Sequence, residues 1–226
     1  MKKEILDFYS NIEKLKRLNY ILSGTEFLSQ RGYDCNEIPE SISELSFPVR
    51  NPISFIENSA DTILDLGCGG GMDIYIGMRN FPEKRFFGID LSYNLLKNAK
   101  KFCKNLVCGD GMNLPFKDLS FSMVIVNGVF NLLDNKEVFL NELFRVLKFG
   151  GNVFIADLFK SNSSLQLASG EFLNFGKAES MEDIFHLFKK CFFIYEYGEF
   201  EKEVVPGYGI FTMKWRKVDE KRSIKS

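Results

Sequence analysis

Residues 62–77, TILDLGCGGGMDIYIG, gather five of the chain's eighteen glycines. Four of them fall between Gly67 and Gly71, directly behind the apolar run TILDL. An apolar run broken by such a cluster and followed by an amphipathic stretch predicts strand, tight turn, helix. Four glycines forfeit backbone entropy that a plain turn would not require, so the turn is built for something to approach its main chain. A phosphate-binding P-loop needs GxxxxGK[ST], and no Lys-Ser/Thr pair follows Gly67 or Gly69. A dinucleotide loop needs GxGxxG or GxGxxA, and the third position here is Met72. The spacing is GxGxG, which favours a ligand lying across the loop over a pyrophosphate on the helix N-terminus.

The flanking sequence repeats the alternation. Strands are expected at 62–66, 85–90, 106–109, 122–127 and 152–158. Helices are expected at 71–80, 93–104 with Ser92 as N-cap, and 135–148, stopped by Gly150 and Gly151 with one of them as a left-handed cap. Strands apolar on both faces, separated by amphipathic helices, predict a parallel sheet covered on both sides. Right-handed crossovers make it doubly wound and Rossmann-like. After a polar loop at 161–170 and a helix near 180–190, the runs 192–200 and 208–217, joined through Pro206 and Gly207, predict an antiparallel pair at the sheet edge. An amphipathic helix over the first thirty residues, with Ile5, Phe8, Ile12, Leu15 and Leu18 on one face, and a Pro-containing cover at 31–52 predict an N-terminal helical cap. The expected fold is therefore α/β, mostly parallel, as a single domain: cap and cover loop at 1–52, core at 53–218, frayed tail at 219–226.

Two acids narrow the ligand. Asp90 ends the strand RFFGID, where a carboxylate can accept from both hydroxyls of a ribose. Nicotinamide and adenosyl ligands share that need. Asp110, in VCGDGMNLPF, can take the exocyclic amine of an adenine, with Gly111 and Met112 against the ring. One acid for a ribose and one near a base, beside a loop without a phosphate-binding glycine, describe an adenosyl ligand lacking phosphates.

LDLGCGGG, FFGIDLS, GDGMNLPF, VIVNGVFNL and FRVLKFGGNVFIAD together resemble the class I S-adenosylmethionine-dependent methyltransferases over about residues 60–160. Within them, the stretch from VNGVFNLL to FIADL and the RNP before the first strand resemble the arsenite methyltransferase branch. The resemblance implies S-adenosyl-L-methionine as cofactor. It implies that Asp65, Gly67, Cys68, Gly69, Gly70 and Gly71 face its methionyl part. Asp90 and Leu91 would hold the ribose and pack on the adenine, Asp110, Gly111 and Met112 would border the base, and Asn127 would lie under the methyl-donor centre. The arsenite branch binds arsenic through cysteine thiolates, one of them after the fifth strand. Residues 159–190 contain no cysteine, and no metal site is assigned.

The expected activity is methyl transfer to a small-molecule acceptor by in-line displacement. No catalytic side chain is assigned, because an activated sulfonium demands alignment before it demands a base. A cofactor-binding module without turnover is the alternative, and a nicotinamide-dependent oxidoreductase is opposed by Met72. A net charge of −1 gives no electrostatic case for nucleic acid or an anionic membrane. Five cysteines with no CxxC, no leader-like N-terminus and no long apolar run predict a cytoplasmic chain without a membrane partner. Tyr9, Tyr20 and Tyr33 could face a substrate from the cap, Arg50 could hold a carboxylate, and His186, the only histidine, is expected at a surface or core edge.

Overall fold

The computed structural model describes residues 25–160, 178–191, 193–205 and 208–218, with isolated positions 3, 6, 7 and 11. Most of the expected N-terminal helix, including Tyr9 and Tyr20, lies outside the described residues. So do the loop at 161–170, the turn at Pro206–Gly207 and the tail at 219–226.

Seven strands form one sheet: β1 (Thr62–Leu66), β2 (Arg85–Asp90), β3 (Leu106–Cys108), β4 (Phe121–Asn127), β5 (Leu147–Lys160), β6 (Phe193–Val205) and β7 (Tyr208–Lys217). Their order is β3-β2-β1-β4-β5-β7-β6. The first five run parallel. β7 is antiparallel to both β5 and β6 and lies between them. The mostly parallel sheet with an antiparallel edge pair expected from the sequence is the observed one.

The period of two sorts each strand's side chains onto opposite faces. Leu64, Leu66, Val124, Val126, Val153 and Ile155 pack on one side with Phe139, Leu140 and Leu143 of α5 (Lys136–Val146) and Ile184 and Phe188 of α6 (Met181–Lys190). Ile63, Phe86, Met123, Ile125 and Phe154 pack on the other with Ile74 of α3 (Met72–Asn80) and Leu96 of α4 (Tyr93–Ala99). Each such fully buried side chain contributes about 1.5–3 kcal/mol. Burial on both faces is why the strands read as continuous apolar runs. Two further helices among the described residues, α1 (Thr25–Gln30) and α2 (Glu40–Ser43), belong to the segment preceding β1.

Local signals set several boundaries. Ser92 caps α4 by accepting from the Leu95 amide, and Asn135 caps α5 by accepting from Val138. Helix α4 is shorter than expected: beyond Ala99 the chain tightens, with Lys101 N–H on Asn98 O and Phe102 N–H on Ala99 O. The expected role of Gly150 and Gly151 is also corrected. Helix α5 ends at Val146, and both glycines belong to β5, where the register jumps from Phe121↔Leu147 to Met123↔Asn152. A Cβ on Gly151 would meet the carbonyl oxygens of Lys148 and Ser122, each at 2.9 Å. The pair permits a bulge in the strand and caps no helix.

Residues 31–52, expected as a linker or cover, run over the carboxyl ends of the central strands. Asn51 N–H reaches Arg31 O at 2.9 Å and Asn51 Nδ2 reaches Gly32 O at 2.7 Å, closing the segment on itself.

Candidate functional site

In an open parallel sheet the carboxyl ends of the strands leave a crevice where crossovers diverge to opposite faces, here between β1 and β4. A cavity lies there, walled by the glycine loop, the tips of β2 and β4, and Leu45, Phe47 and Pro48 of the cover.

The glycine loop is bent by left-handed residues. Gly67, Gly69 and Gly71 have φ of +75°, +52° and +85°. Gly67 is also sterically required, since a Cβ would stand 2.3 Å from Val129 Cγ2. The loop is tied to β2: the amides of Gly67 and Cys68 both donate to Ile89 O, at 2.8 and 3.1 Å. Asp90 completes the tie, accepting from Gly69 N at 2.8 Å and Ser92 N at 2.7 Å. Burial raises the Asp90 carboxyl above its ordinary range, against the pull of those two amides. A carboxylate has about four acceptor directions, so two remain for hydroxyls of a ligand.

Of the residues singled out from sequence, Asp65, Gly67, Cys68, Gly69, Asp90, Leu91, Asp110, Gly111, Met112 and Asn127 all border this crevice. Gly71 does not. It is the N-cap of α3 and presses on Ala99 and Phe102, where a Cβ would stand 2.7 and 2.9 Å away. Cys68 has its sulfur against Gly88, and burial pushes its thiol up, which suits packing and not nucleophilic attack.

Asp65 is 3% exposed, and no hydrogen-bond donor of the described residues reaches its carboxylate. Burial first, then the charges of Asp73 and Asp90, hold it well above the usual carboxylate range. A buried acid facing a cavity without a donor is a place for a cation.

Asp73, in the first turn of α3, is the site residue that sequence reasoning missed. Tyr33 Oη donates to its Oδ1 at 2.7 Å, and Asn127 Nδ2 donates to its Oδ2 at 2.8 Å. Burial pushes Asp73 up to about 6, and the bonds from Asn127 and Tyr33 limit the rise. An acid two residues beyond a glycine loop was the available signal. Its partners come from residues 40 and 54 positions away, which no local pattern reveals.

Asn127 is occupied by the protein. Its Oδ1 accepts from the amides of Val49 at 2.9 Å and Arg50 at 3.2 Å, and its Nδ2 also reaches Arg50 O at 2.8 Å. The side chain fastens the cover to β4. Arg50 does bind a carboxylate, but that of Glu199 at 2.8 Å. Tyr33 is buried behind Asp73, and His186 is exposed on α6, away from the crevice.

Comparison with known proteins bears on the family and the fold. The family described as "Methyltransferase domain" matches residues 64–155. An arsenite methyltransferase of Halobacterium salinarum is 30% identical over 150 residues, covering 60% of this chain but only 37% of its own length. An uncharacterised protein of Methanocaldococcus jannaschii is 30% identical over 181 residues, covering 80% of this chain and 72% of its own. The crystal structure of an arsenic(III) S-adenosylmethionine methyltransferase from Chlamydomonas reinhardtii shares the fold, with a TM-score of 0.66, 22% identity, and coverage of 81% of this chain and 71% of that one.

Proposed function

The chain belongs to the class I S-adenosylmethionine-dependent methyltransferases, and on that premise we propose that it transfers a methyl group to a small-molecule acceptor by in-line displacement. The family's cofactor is S-adenosylmethionine. When bound, it supplies a methyl group already activated on a positively charged sulfur.

The observation that carries the proposal is the pairing of bare loop backbone with buried acids. Gly67, Gly69 and Gly70 let a ligand approach the main chain, and Asp65 waits there without a donor among the described residues. That combination suits a nucleoside bearing an ammonium group and a sulfonium. It does not suit a pyrophosphate, which three nearby carboxylates would repel.

In this reading Asp65 receives the ammonium group, and Gly67, Cys68 and Gly69 line the methionyl arm. Asp90 takes the ribose hydroxyls while Leu91 packs on the base. Asp110, Gly111 and Met112 border the base. Gly71 shapes the turn without touching the ligand. Asn127 and the cover hold the acceptor side closed and keep water out. Alignment of this kind can contribute ~7–11 kcal/mol to the barrier reduction. The five cysteines pair with none of one another, which supports a reducing, cytoplasmic setting. No helix of the described residues is long and apolar enough to cross a membrane.

Calorimetry with S-adenosylmethionine tests the cofactor site: saturable one-to-one binding is expected, and its absence removes the proposal. Formation of S-adenosylhomocysteine in the presence of an acceptor separates an enzyme from a module that only binds.

A further inference from the structure

We propose that Asp65 holds a proton in the cofactor-free protein, kept there by the carboxylate of Asp73, and gives it up when it receives the ammonium group of S-adenosylmethionine. Asp73 is then a positioning residue that acts on the cofactor through Asp65. The proposal deepens the methyl-transfer reading and rests on its cofactor site.

The two acids share a wall of the crevice but not an environment. Both are buried, Asp65 at 3% and Asp73 at 7% exposure. Asp73 accepts from Tyr33 Oη at 2.7 Å on one oxygen and from Asn127 Nδ2 at 2.8 Å on the other. Those donors come from the cover and from the tip of β4, so the carboxylate is fixed from two sides. Asp65, on β1, has no donor among the described residues. A buried carboxylate that accepts hydrogen bonds is eased into its charged form, and one that accepts none keeps its proton. The negative charge of the pair therefore belongs on Asp73 and the proton on Asp65.

The neighbours of Asp65 act in the same direction. Asp73 faces it from α3 and Asp90 from β2, and both oppose a further negative charge between them. Cys68 of the glycine loop, Tyr33 of the cover and Cys103 beyond α4 are the other titratable groups that feel Asp65. Burial, with these carboxylates beside it, holds each of the three in its neutral form. Arg50 is turned away to Glu199 and meets Tyr33 only through its carbonyl oxygen. Asp110 and Asp134 border the same crevice, each engaged in an interaction of its own. The two protonation tendencies follow the geometry: Asp65 stands well above the usual carboxylate range, while its better-bonded neighbour rises only to about 6.

The exchange balances in charge. The O–H bond of Asp65 breaks, its proton passes to solvent, and the carboxylate left behind accepts N–H bonds from an ammonium group. One positive charge replaces another beside Asp73. Affinity for the cofactor should then rise with pH, by up to about tenfold per pH unit while Asp65 is protonated in the cofactor-free protein, and level off once it is not. The range to examine lies below about pH 7.7, where an α-amino group still carries its proton.

The test is titration calorimetry on the full chain at about pH 6.5, in phosphate and in imidazole, whose ionisation enthalpies differ; the difference in heat counts the protons released. S-adenosylmethionine and S-adenosylhomocysteine should each release at least about half a proton per ligand bound. 5′-Methylthioadenosine keeps the nucleoside and the thioether without the amino-acid arm, and should release less than about one fifth. Asp73→Asn removes the charge that opposes ionisation of Asp65, and should cut the count for S-adenosylmethionine by about half or more. A merely structural role for Asp73 would change affinity and leave the count per bound ligand as it was. No release, proton uptake, equal counts with and without the amino-acid arm, or an unchanged count in Asp73→Asn overturns the proposal. The count for S-adenosylmethionine on the unaltered chain decides alone if Asp73→Asn does not fold or 5′-methylthioadenosine does not bind. Failure of S-adenosylmethionine to bind at all removes the underlying reading instead, so the two failures are distinct.

Discussion

The phenol of Tyr33 donates to Asp73 Oδ1 across 2.7 Å, joining the cover segment to the first turn of α3. Tyr33 is 3% exposed, and its own proton is held tightly by burial first and the charge of Asp73 second. The cover is thus pinned twice, here and through Asn127 on Val49 and Arg50.

Tyr33→Phe should therefore lower stability by about 1.5–3 kcal/mol, the range for a buried hydrogen bond to a charged group. Urea denaturation measures it. Asn127→Ala should cost more, because it frees the amides of both Val49 and Arg50 as well as a donor to Asp73. An Asn127→Ala midpoint above that of Tyr33→Phe would show that the cover is held by other contacts.

Asp90→Ala should abolish S-adenosylmethionine binding by calorimetry while the far-UV spectrum and the cooperative melt persist. The substitution removes the acceptor for two loop amides and the group assigned to the ribose. Unchanged affinity would remove the ribose assignment.

Gly67→Ala should weaken cofactor binding and lower the melting temperature together. It places a Cβ at positive φ and 2.3 Å from Val129 Cγ2. In the double variant Gly67→Ala, Val129→Ala the steric part is relieved, and only the conformational part, ~1–2 kcal/mol, should remain. Full recovery in the double variant would mean that backbone strain at residue 67 is negligible.

Asp73 and Asp157 should each lower stability as pH rises from about 4 to 6, alongside the raised Asp65 and Asp90. Burial pushes both Asp73 and Asp157 up to about 6, whereas an unfolded aspartate ionises near 3.9, roughly. In that window the native state binds more protons than the unfolded chain, so raising pH favours unfolding. The penalty from these two groups is absent below the lower value and complete above the upper one. Asp157→Asn should flatten part of this slope in urea midpoints measured across the window. It should also cost stability at every pH, since Asp157 accepts from Asn131 and Leu158 amides. An unaltered slope would assign the dependence elsewhere.

Cys35→Ser should leave S-adenosylmethionine affinity unchanged, because Cys35 sits in the cover and does not border the crevice. A selective loss of arsenite methylation in that variant would restore a thiolate role.

The sheet was legible in sequence because its signals are local. TILDL and RFFGID are runs that only a doubly covered strand needs, and Ser92 announces its helix within three residues. The glycine loop and Asp90 were legible for the same reason. Gly150 and Gly151 were misjudged because the atom that forbids a side chain at Gly151 belongs partly to Ser122, on another strand. Asn127 was placed at the right strand tip, but its work depends on residues 33, 49, 50 and 73 meeting in space. Asp73 escaped notice because an acid early in a helix is ordinary until a tyrosine 40 positions away turns out to be bonded to it.

The position of β7 between β5 and β6 has a consequence for biosynthesis. The ladder of β5 from Asn152 to Lys160 finds its outer partner only when Tyr208–Arg216 has been made. At ~5–20 residues per second the wait from Lys160 to Lys217 is roughly 3–11 s. Throughout that interval a nascent chain presents an apolar strand with its hydrogen-bonding edge bare, open to pairing with neighbours on the same message. Slower translation lengthens that exposure, and earlier chaperone recruitment shortens it.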